Sequence, residues 1–221
     1  MEPRNAWARW APLTGILFFV LVLVALAVGG STPDDNDSAQ KVLSYYVKHR
    51  SDQEAVAFVL TFAGVFLFFF SVALARRVRL REVAPGGLST AVIGAGAVAC
   101  LGWVTFASAQ FALVESSKRN DLELTRTINV FANNFFFPFL AGSAIFMVIA
   151  GLAVALSRAL PAWLGWVGFA LGIVSFTPIG FFFVLGGVIW VLVASIMMIV
   201  RPAATAASPG AGSPPAVTTP A

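Results

Sequence analysis

Charged residues are scarce in this sequence of 221 residues. Only 11% of the residues are charged and 59% are hydrophobic, whereas a soluble globular domain carries about 25% charged and about 45–50% apolar residues. Disorder and nucleic-acid binding both require more charge and polarity than this, and the net charge of +4 is small. The composition therefore predicts an integral membrane protein, with the lipid bilayer as its surroundings and no nucleic acid among its partners.

Cysteine and histidine occur once each. The single cysteine, Cys100, excludes an internal disulfide, a CxxC redox pair and a cysteine metal cluster. The single histidine, His49, excludes bis-histidine haem ligation and fits an interfacial basic cluster between Lys48 and Arg50. The sequence has no GxSxG motif and no paired glutamates, and its acidic "PDDNDS" lacks the glycine and distal glutamate of an EF-hand loop. We therefore predict no enzyme activity, no metal site and no cofactor.

Long charge-free runs are abundant. A membrane-spanning helix needs about 20 mostly apolar residues, and the run over 159–200 is too long for one pass, so Pro178 and Gly180 are predicted to divide it. Residues 1–201 are thus predicted to form an all-α polytopic transmembrane bundle. Its six spans lie near 11–30, 55–75, 88–114, 128–156, 162–177 and 182–200. Five spans plus a re-entrant segment remain the alternative.

The loops between these spans differ in charge. With the N-terminus inside, the cytoplasmic side carries eight basic and two acidic residues, including "RRVRLRE" (76–82), and the outer side six basic and eight acidic residues. Lys and Arg favour cytoplasmic loops. We therefore predict a multi-pass protein of the plasma membrane with both termini in the cytoplasm.

The two ends of the chain carry further expectations. Arg4, Arg9, an apolar stretch and "ALA" (25–27) also resemble a secretory signal with its cleavage site; we expect the first span to be retained, because its apolar run is long for a signal. Residues 202–221 are rich in Pro, Ala, Gly, Ser and Thr, without charge or an apolar face, which predicts a disordered tail.

A short amphipathic helix is predicted after the first span. In "SAQKVLSYYVKHR" (38–50), Val42, Leu43 and Tyr46 share one face, and Ser38 can cap the N-terminus. Tyrosine and lysine favour the headgroup layer, so we expect an interfacial helix. The following "SDQE" (51–54) has the pattern of a capping box that starts the second span.

Polar residues at the outer ends of the third and fourth spans form the candidate site. Polar side chains within spans are expensive and mark functional candidates, and these two spans are antiparallel neighbours. They predict a ligand or packing cluster of Gln110, Glu115, Arg126, Asn129, Asn133 and Asn134.

Proline offers a structural explanation for part of this cluster. Because Pro138 has no N–H, the carbonyl of Asn134 loses its helical partner and a kink is expected near Asn134. Asn134 shares a helix face with Ala141 and Gly142, which implies close packing of this face against a neighbouring helix, so we expect Asn134 to point into the bundle. The side-chain amides near the kink are expected either to donate to freed backbone carbonyls or to pair across to Gln110. Structural stabilisation is thus the preferred interpretation and a ligand site the alternative.

Small residues recur at helical spacing. Ala91, Ala95 and Ala99 follow one another in the third span, and "GWVGFALG" (165–172) places Gly165, Gly168 and Gly172 on one face of the fifth. Such faces let helices approach closely. They serve equally for packing within the chain and for a homo-oligomer or membrane-protein partner.

Four segments together suggest a family. "SAQKVLSYYVKHR", "NNFFFPFLAG", "LPAWLGWVGFALGI" and "TPIGFFF" resemble a group of small, uncharacterised multi-pass proteins of high-GC Gram-positive bacteria over residues 31–201. The resemblance implies a membrane protein and no particular chemistry. We expect a non-enzymatic structural or interaction component of the membrane, with small-molecule, lipid or ion binding or transport at the polar cluster as the alternative.

Overall fold

The described chain is helical. The computed structural model describes residues 10–82, 86–177 and 179–201, except for the side chain of Phe181. These ranges contain α-helices and no β-strand, so the all-α prediction is confirmed for them. The helices are α1 (Leu13–Gly29), α2 (Ala39–Lys48), α3 (Arg50–Arg79), α4 (Gly87–Ser117), α5 (Leu122–Asn134), α6 (Phe137–Ser157), α7 (Ala162–Val174) and α8 (Gly180–Val200).

Within the described ranges, four helical segments are long and apolar enough to cross a membrane: α3, α4, the pair α5–α6 and α8. The apolar helices α1 and α7 are shorter, with 17 and 13 residues. At 1.5 Å per residue they measure about 26 and about 20 Å, against a hydrocarbon core of about 30 Å. The chain therefore has the helices of a membrane-embedded protein, and α7 is the shortest of the six segments predicted as spans.

Several sequence predictions concern segments at the edge of the described ranges. The division of 159–200 into two helices is confirmed by α7 and α8, although Pro178 itself lies outside the described residues. Residues 1–9, with Arg4 and Arg9, and the predicted disordered tail 202–221 also lie outside them. The predictions for these two ends stay predictions.

Pro138 divides the fourth predicted span. The expected kink is confirmed as a full break, since α5 ends at Asn134, Phe135 and Phe136 form a turn, and α6 begins at Phe137. Pro138 lies in the first turn of α6, where an N–H would have no intrahelical partner in any case. The expectation that Asn134 points into the bundle is wrong, because its side chain is exposed.

Glycines bring the backbones of α6 and α7 into contact. A Cβ added at Gly151 would lie 2.2 Å from the backbone N of Phe169, and one at Gly165 would lie 2.3 Å from the backbone N of Ala155. Side chains larger than hydrogen at these positions would therefore hold the two helices apart. The glycines predicted for close packing all meet neighbouring helices of the same chain: Gly165, Gly168 and Gly172.

Glycines also bring the backbones of α4 and α6 into contact. A Cβ at Gly102 would lie 2.5 Å from the carbonyl O of Pro138, and one at Gly142 would lie 2.9 Å from the carbonyl O of Val98. Each helix thus contributes a glycine against the backbone of the other. Gly142 thus packs closely against α4, and this contact places the start of α6 against that helix.

The predicted amphipathic helix is present as α2, but its apolar face contacts protein. The Oγ of Ser38 accepts a hydrogen bond from the backbone N–H of Lys41 at 3.3 Å, so the predicted cap is confirmed. Val42 is 0% and Tyr46 1% exposed. They pack against Ala109, Leu113 and Val114 of α4 and Ala132 of α5. The apolar face of α2 therefore covers α4 and α5, and the position of this helix at the membrane interface stays a prediction.

Helix α3 begins at Arg50, one residue before the predicted capping box. No side chain caps it, so the interpretation of "SDQE" as a capping box is wrong. Gln53, 4% exposed, instead donates from Nε2 to the carbonyl O of Gly29 at 2.8 Å and to the Oη of Tyr45 at 3.2 Å. The last carbonyl groups of a helix lack intrahelical partners. Gln53 thus satisfies the end of α1 and joins it to α2 and α3.

At the opposite end of the helices, Arg77 joins three chain segments. Its Nε donates to the carbonyl O of Ala159 at 3.2 Å, its Nη1 to that of Met198 at 3.0 Å, and its Nη2 to that of Arg201. Two of these acceptors belong to the C-terminal end of α8, where carbonyl groups are left without helical partners. The guanidinium therefore fixes the end of α8 and the α6–α7 connection against α3.

Glu82 caps the start of α4. Its carboxylate accepts hydrogen bonds from the backbone N–H of Gly86 at 3.0 Å and of Ser89 at 2.6 Å, and from the Ser89 hydroxyl at 3.0 Å. These bonds hold the pKa of Glu82 below its ordinary value of 4.5, and the bond from the Gly86 N–H has the largest effect. An anion is also favoured by the positive end of the helix dipole.

This arrangement predicts a pH-dependent loss of stability. A carboxyl group with a lowered folded-state pKa stabilises the folded state above its unfolded pKa, and this contribution is lost as the pH falls from about 4.5 through the folded-state value. We expect the melting temperature of a Glu82→Gln variant to lie below that of the wild type at pH 7 and to approach it towards pH 3. A Glu123→Gln variant, which alters an exposed carboxylate of α5, is the control. Parallel melting curves of wild type and Glu82→Gln across this range would contradict the role of Glu82.

Candidate functional site

The three predicted asparagines lie against the first connecting loop. The Nδ2 of Asn129 is 3.4 Å from the carbonyl O of Asp34, and that of Asn133 is 3.2 Å from the carbonyl O of Pro33. The Nδ2 of Asn134 donates to Oδ2 of Asp35 at 3.1 Å. We call this set the asparagine contact: Pro33, Asp34, Asp35, Asn129, Asn133 and Asn134. It joins a loop to α5 across about a hundred residues of sequence.

Two buried oxygen atoms of the asparagine contact have no hydrogen-bond donor among the described residues. They are Oδ1 of Asn129 and Oδ1 of Asp35. Asn129 is 1% exposed, so its amide oxygen is screened from the surroundings. A buried acceptor without a partner is unfavourable. The contact therefore has unused capacity to accept a donor or a cation.

The other three predicted site residues lie elsewhere. Glu115 pairs with Lys118, the residue that follows α4, and Arg126 is exposed on α5. Gln110 lines a cavity described below. The structure thus brings together the three asparagines of the predicted cluster and does not bring Gln110, Glu115 or Arg126 into their contact.

A cavity of about 210 Å³ lies between α1, α3, α4, α6 and α8. We call it the large cavity. Most of its lining is apolar, and its polar residues are Thr32, Gln53 and Gln110. Its apolar lining comprises Val22, Ala25, Leu26, Val56, Leu60, Trp103, Phe106, Phe139, Val184, Leu185 and Val188, with Gly29 and Gly30 at the end of α1. A concave apolar surface with a few polar groups is the usual form of a small-molecule site.

The large cavity borders the outside of the helices at two points. Leu26 of α1 is 56% exposed and Leu185 of α8 is 39% exposed, and both line it. Gly30 and Thr32, also in its lining, are exposed in the loop that follows α1. The cavity is therefore bordered by the outer surface between α1 and α8 and by the asparagine-bound loop.

Trp103 supplies an unused hydrogen-bond donor. Its side chain is 3% exposed, and its Nε1 has no acceptor among the described residues. The ring packs edge-on against Phe18 and Phe139, with centroid distances of 5.2 and 4.7 Å. It borders both the large cavity and a second cavity of about 20 Å³ that is also lined by Ser143. Buried indole N–H groups usually have an acceptor, so this donor can orient a molecule that carries one.

Gln53, which lines the large cavity, is held at the end of α1 together with Tyr45. The Tyr45 hydroxyl donates to the carbonyl O of Gly29 at 3.2 Å and accepts from Gln53 Nε2. Burial raises the pKa of Tyr45, and more strongly that of its neighbour Tyr46, so both phenols stay neutral at physiological pH. The hydrogen-bonded group next to Gln53 is therefore uncharged.

The arrangement is suited to binding. Within the described ranges there is no group of three or more His, Cys, Asp and Glu side chains that could hold a metal ion in the manner of a mixed acid–histidine site. His49 stacks on Tyr45, with a centroid distance of 4.7 Å, and lies 3.7 Å from Asp52, outside the cavity lining. The large cavity offers a ligand hydrophobic surface and a few separate hydrogen-bonding groups.

Sequence reasoning missed Gln53 and Trp103 as site residues. Gln53 was assigned to a capping box, although a glutamine just inside an apolar run is itself a signal of polar contacts at depth. Trp103 lies in the middle of α4 between small residues, and a tryptophan far from both ends of a span is not explained by interfacial anchoring. Both signals could have been read from position along the span.

Comparison with known proteins gives no assignment, because no family model, curated protein or solved structure matches the chain.

Proposed function

We propose that this chain is a six-span protein of the plasma membrane that binds the apolar chain of a membrane amphiphile in the large cavity. In this proposal α1 and α7 span together with the four longer segments, both termini are cytoplasmic, and the protein acts by binding without catalysis. The observation that carries the proposal is the cavity of about 210 Å³ with its mostly apolar lining.

The distribution of charge supports the proposed orientation. Arg77 contacts the backbone at Ala159 and Arg201, so the arginine-rich end of α3 and the ends of α6 and α8 lie together. The acidic loop at Asp34 and Asp35 lies at the other end, against α5. A positive end and an acidic end are what the preference of Lys and Arg for the cytoplasm predicts.

The lining supports a lipid-like occupant over a polar one. Apolar side chains surround most of the cavity, and burial of apolar surface contributes about 25 cal/mol per Å². Leu26 and Leu185 border it between α1 and α8, so an acyl or isoprenoid chain can enter from the bilayer. The indole N–H of Trp103 suits a carbonyl, ester or ether oxygen on the same molecule.

Quenching of Trp103 fluorescence by brominated lipids tests this proposal. The protein is reconstituted in bilayers of phosphatidylcholine with brominated acyl chains, and the share of Trp103 is taken as the difference between wild type and Trp103→Phe. Because Trp103 is 3% exposed, quenching of its fluorescence that is lost when the cavity is blocked indicates a chain inside the cavity. We expect the Trp103 fluorescence to be quenched in the wild type. In Val188→Phe, whose ring occupies part of the cavity, it should be largely protected.

A neighbouring position provides the matched control. Ile189 is 55% exposed, so Ile189→Phe adds the same ring on the outer surface of α8 and should leave the quenching of Trp103 unchanged. Equal, weak quenching in wild type, Val188→Phe and Ile189→Phe would contradict binding. That result would favour a purely structural or interaction role for the protein.

A further inference from the structure

We propose that the asparagine contact is a binding site for a hard metal cation of the Ca²⁺ type, held between the loop after α1 and the start of the α5–α6 segment. The proposal is independent of the large cavity and of its occupant. It rests on the two buried oxygen atoms without a donor, Oδ1 of Asn129 and Oδ1 of Asp35.

The contact supplies the ligand atoms that such a cation prefers. Ca²⁺ binds carboxylate, amide and backbone carbonyl oxygens, six to eight in number. The carboxylate of Asp35, the amide oxygen of Asn129 and the carbonyls of Pro33 and Asp34 all lie at this contact. Asn133 and Asn134 face the loop with their Nδ2 donors and hold it in place without serving as ligands. Nitrogen and sulfur ligands are not among these residues, which favours a hard cation over zinc or copper.

The charge of the contact also calls for a cation. Asp35 makes no ion pair within the described ranges, and its side chain meets only the amide of Asn134. The nearest lysine along the chain, Lys41, is paired with Asp37 at 2.7 Å. A carboxylate with one buried, unpartnered oxygen is costly unless a positive charge compensates it.

The alternative is a purely structural role, in which the asparagine amides act only as a clamp that holds the loop by hydrogen bonds. This alternative accounts for less of the observed geometry than a cation site does. The bond from Asn129 Nδ2 to the Asp34 carbonyl is 3.4 Å long, and the oxygen of the same amide is left without a donor although Asn129 is 1% exposed. Two of the three asparagines, Asn129 and Asn133, lie one turn apart on the face of α5 that meets the loop. In the proposed site, the cation between loop and helix is coordinated by these two oxygens, Oδ1 of Asn129 and Oδ1 of Asp35.

Calcium titration of the full chain tests the site. The protein in lipid nanodiscs is stripped of metal with a chelator, and its melting temperature is measured by intrinsic fluorescence as CaCl₂ or MgCl₂ is added. We expect CaCl₂ to raise the melting temperature by several degrees with half-saturation at about 0.1–1 mM, the range of extracellular calcium modules. MgCl₂ should act more weakly, since Mg²⁺ requires a near-ideal octahedral site and gives up its water reluctantly.

Two variants and a control separate the cation site from a clamp. Asp35→Asn keeps the shape of the side chain and should abolish the calcium-dependent shift. Asn129→Asp adds a second carboxylate and should tighten calcium binding on the order of tenfold, whereas a clamp that loses its Nδ2 donor would gain nothing from calcium. Glu123→Gln, which removes an exposed charge from the first turn of α5, should leave the shift unchanged.

The outcomes decide the proposal in either direction. No calcium-dependent shift in the wild type, or a shift that survives Asp35→Asn and is not increased in affinity by Asn129→Asp, would overturn it. If Asp35→Asn does not fold, the stoichiometry of ⁴⁵Ca²⁺ bound to the wild-type protein and to Asn129→Asp decides instead. One saturable ion per chain, bound more tightly by Asn129→Asp, supports the site, and unsaturable uptake contradicts it.

Discussion

A Gly151→Ala variant is expected to melt several degrees below the wild-type protein. The added methyl group would lie 2.2 Å from the backbone N of Phe169 and 2.7 Å from the carbonyl carbon of Gly168. Both contacts are with backbone, so no side-chain rotation relieves them and α7 must move away from α6. Overpacking of this kind costs about 1–3 kcal/mol. The measurement is thermal or denaturant unfolding in one detergent or lipid.

Gly94→Ala is the matched control. Gly94 is an exposed residue of α4, and a Cβ there would have no neighbour within 4 Å. The same chemical change should therefore leave the melting temperature equal or slightly higher, because alanine favours a helix over glycine by about 0.5–1 kcal/mol. A fall of equal size in both variants would contradict the backbone contact between α6 and α7.

A second substitution at the same crossing tests its mechanism. Gly165→Ala would place its methyl group 2.3 Å from the backbone N of Ala155, and it separates the same two helices. Once the first methyl group has moved α7 away from α6, the second methyl group needs a smaller further displacement. The double variant Gly151→Ala/Gly165→Ala should therefore lose less stability than the sum of the single losses, as expected for sites that share one displacement.

The helices and their close approaches were largely predictable from the sequence. Long apolar runs, the Pro178–Gly180 pair and Pro138 located most of the helix limits, because hydropathy and missing backbone donors act locally. The spacing of Gly165, Gly168 and Gly172 predicted close packing without identifying the partner. Gly151 was missed, since a single glycine inside an apolar helix carries no spacing pattern until its neighbour is known.

The candidate site was less predictable because its partners are backbone atoms of distant loops. The amides near the break were expected to donate to backbone carbonyls or to pair with Gln110; Asn134 donates to the backbone carbonyl O of Val130 and also to Asp35, 99 residues earlier in the chain. No periodicity reports where an irregular loop folds back. The local pattern "SDQE" likewise misled: Gln53 gains more from the unpaired carbonyl of Gly29 than a capping box would offer.

The identity of the candidate residues was nevertheless informative. The rule that polar side chains at depth mark contacts or sites directed attention to Asn129, Asn133 and Gln110. The structure divides them, with the asparagines at the loop and Gln110 at the large cavity. Both regions meet at the segment after α1, because Thr32 borders the cavity and Pro33 begins the asparagine contact. One loop thus serves the two proposed sites.

An Arg77→Ala variant is the second variant, after Gly151→Ala, that we expect to be strongly destabilised. The guanidinium donates to carbonyl groups of Ala159, Met198 and Arg201, and its removal leaves the C-terminal end of α8 without its partner. Hydrogen bonds from charged donors contribute about 1.5–3 kcal/mol each when buried. Because the site is only partly buried and water can replace some of them, we expect a total loss of about 1–3 kcal/mol in thermal or denaturant unfolding.

The neighbouring arginine separates this contact from the charge itself. Arg76 is exposed at the same end of α3, so Arg76→Ala removes an equal charge from the same loop and should leave stability within about 0.5 kcal/mol of the wild type. Arg77→Lys retains the charge but cannot reproduce the planar fork that reaches three carbonyls, and its stability should fall between those of wild type and Arg77→Ala. Equal losses in Arg76→Ala and Arg77→Ala would show that positive charge at this end, and not the capping of α8, is what stabilises the protein.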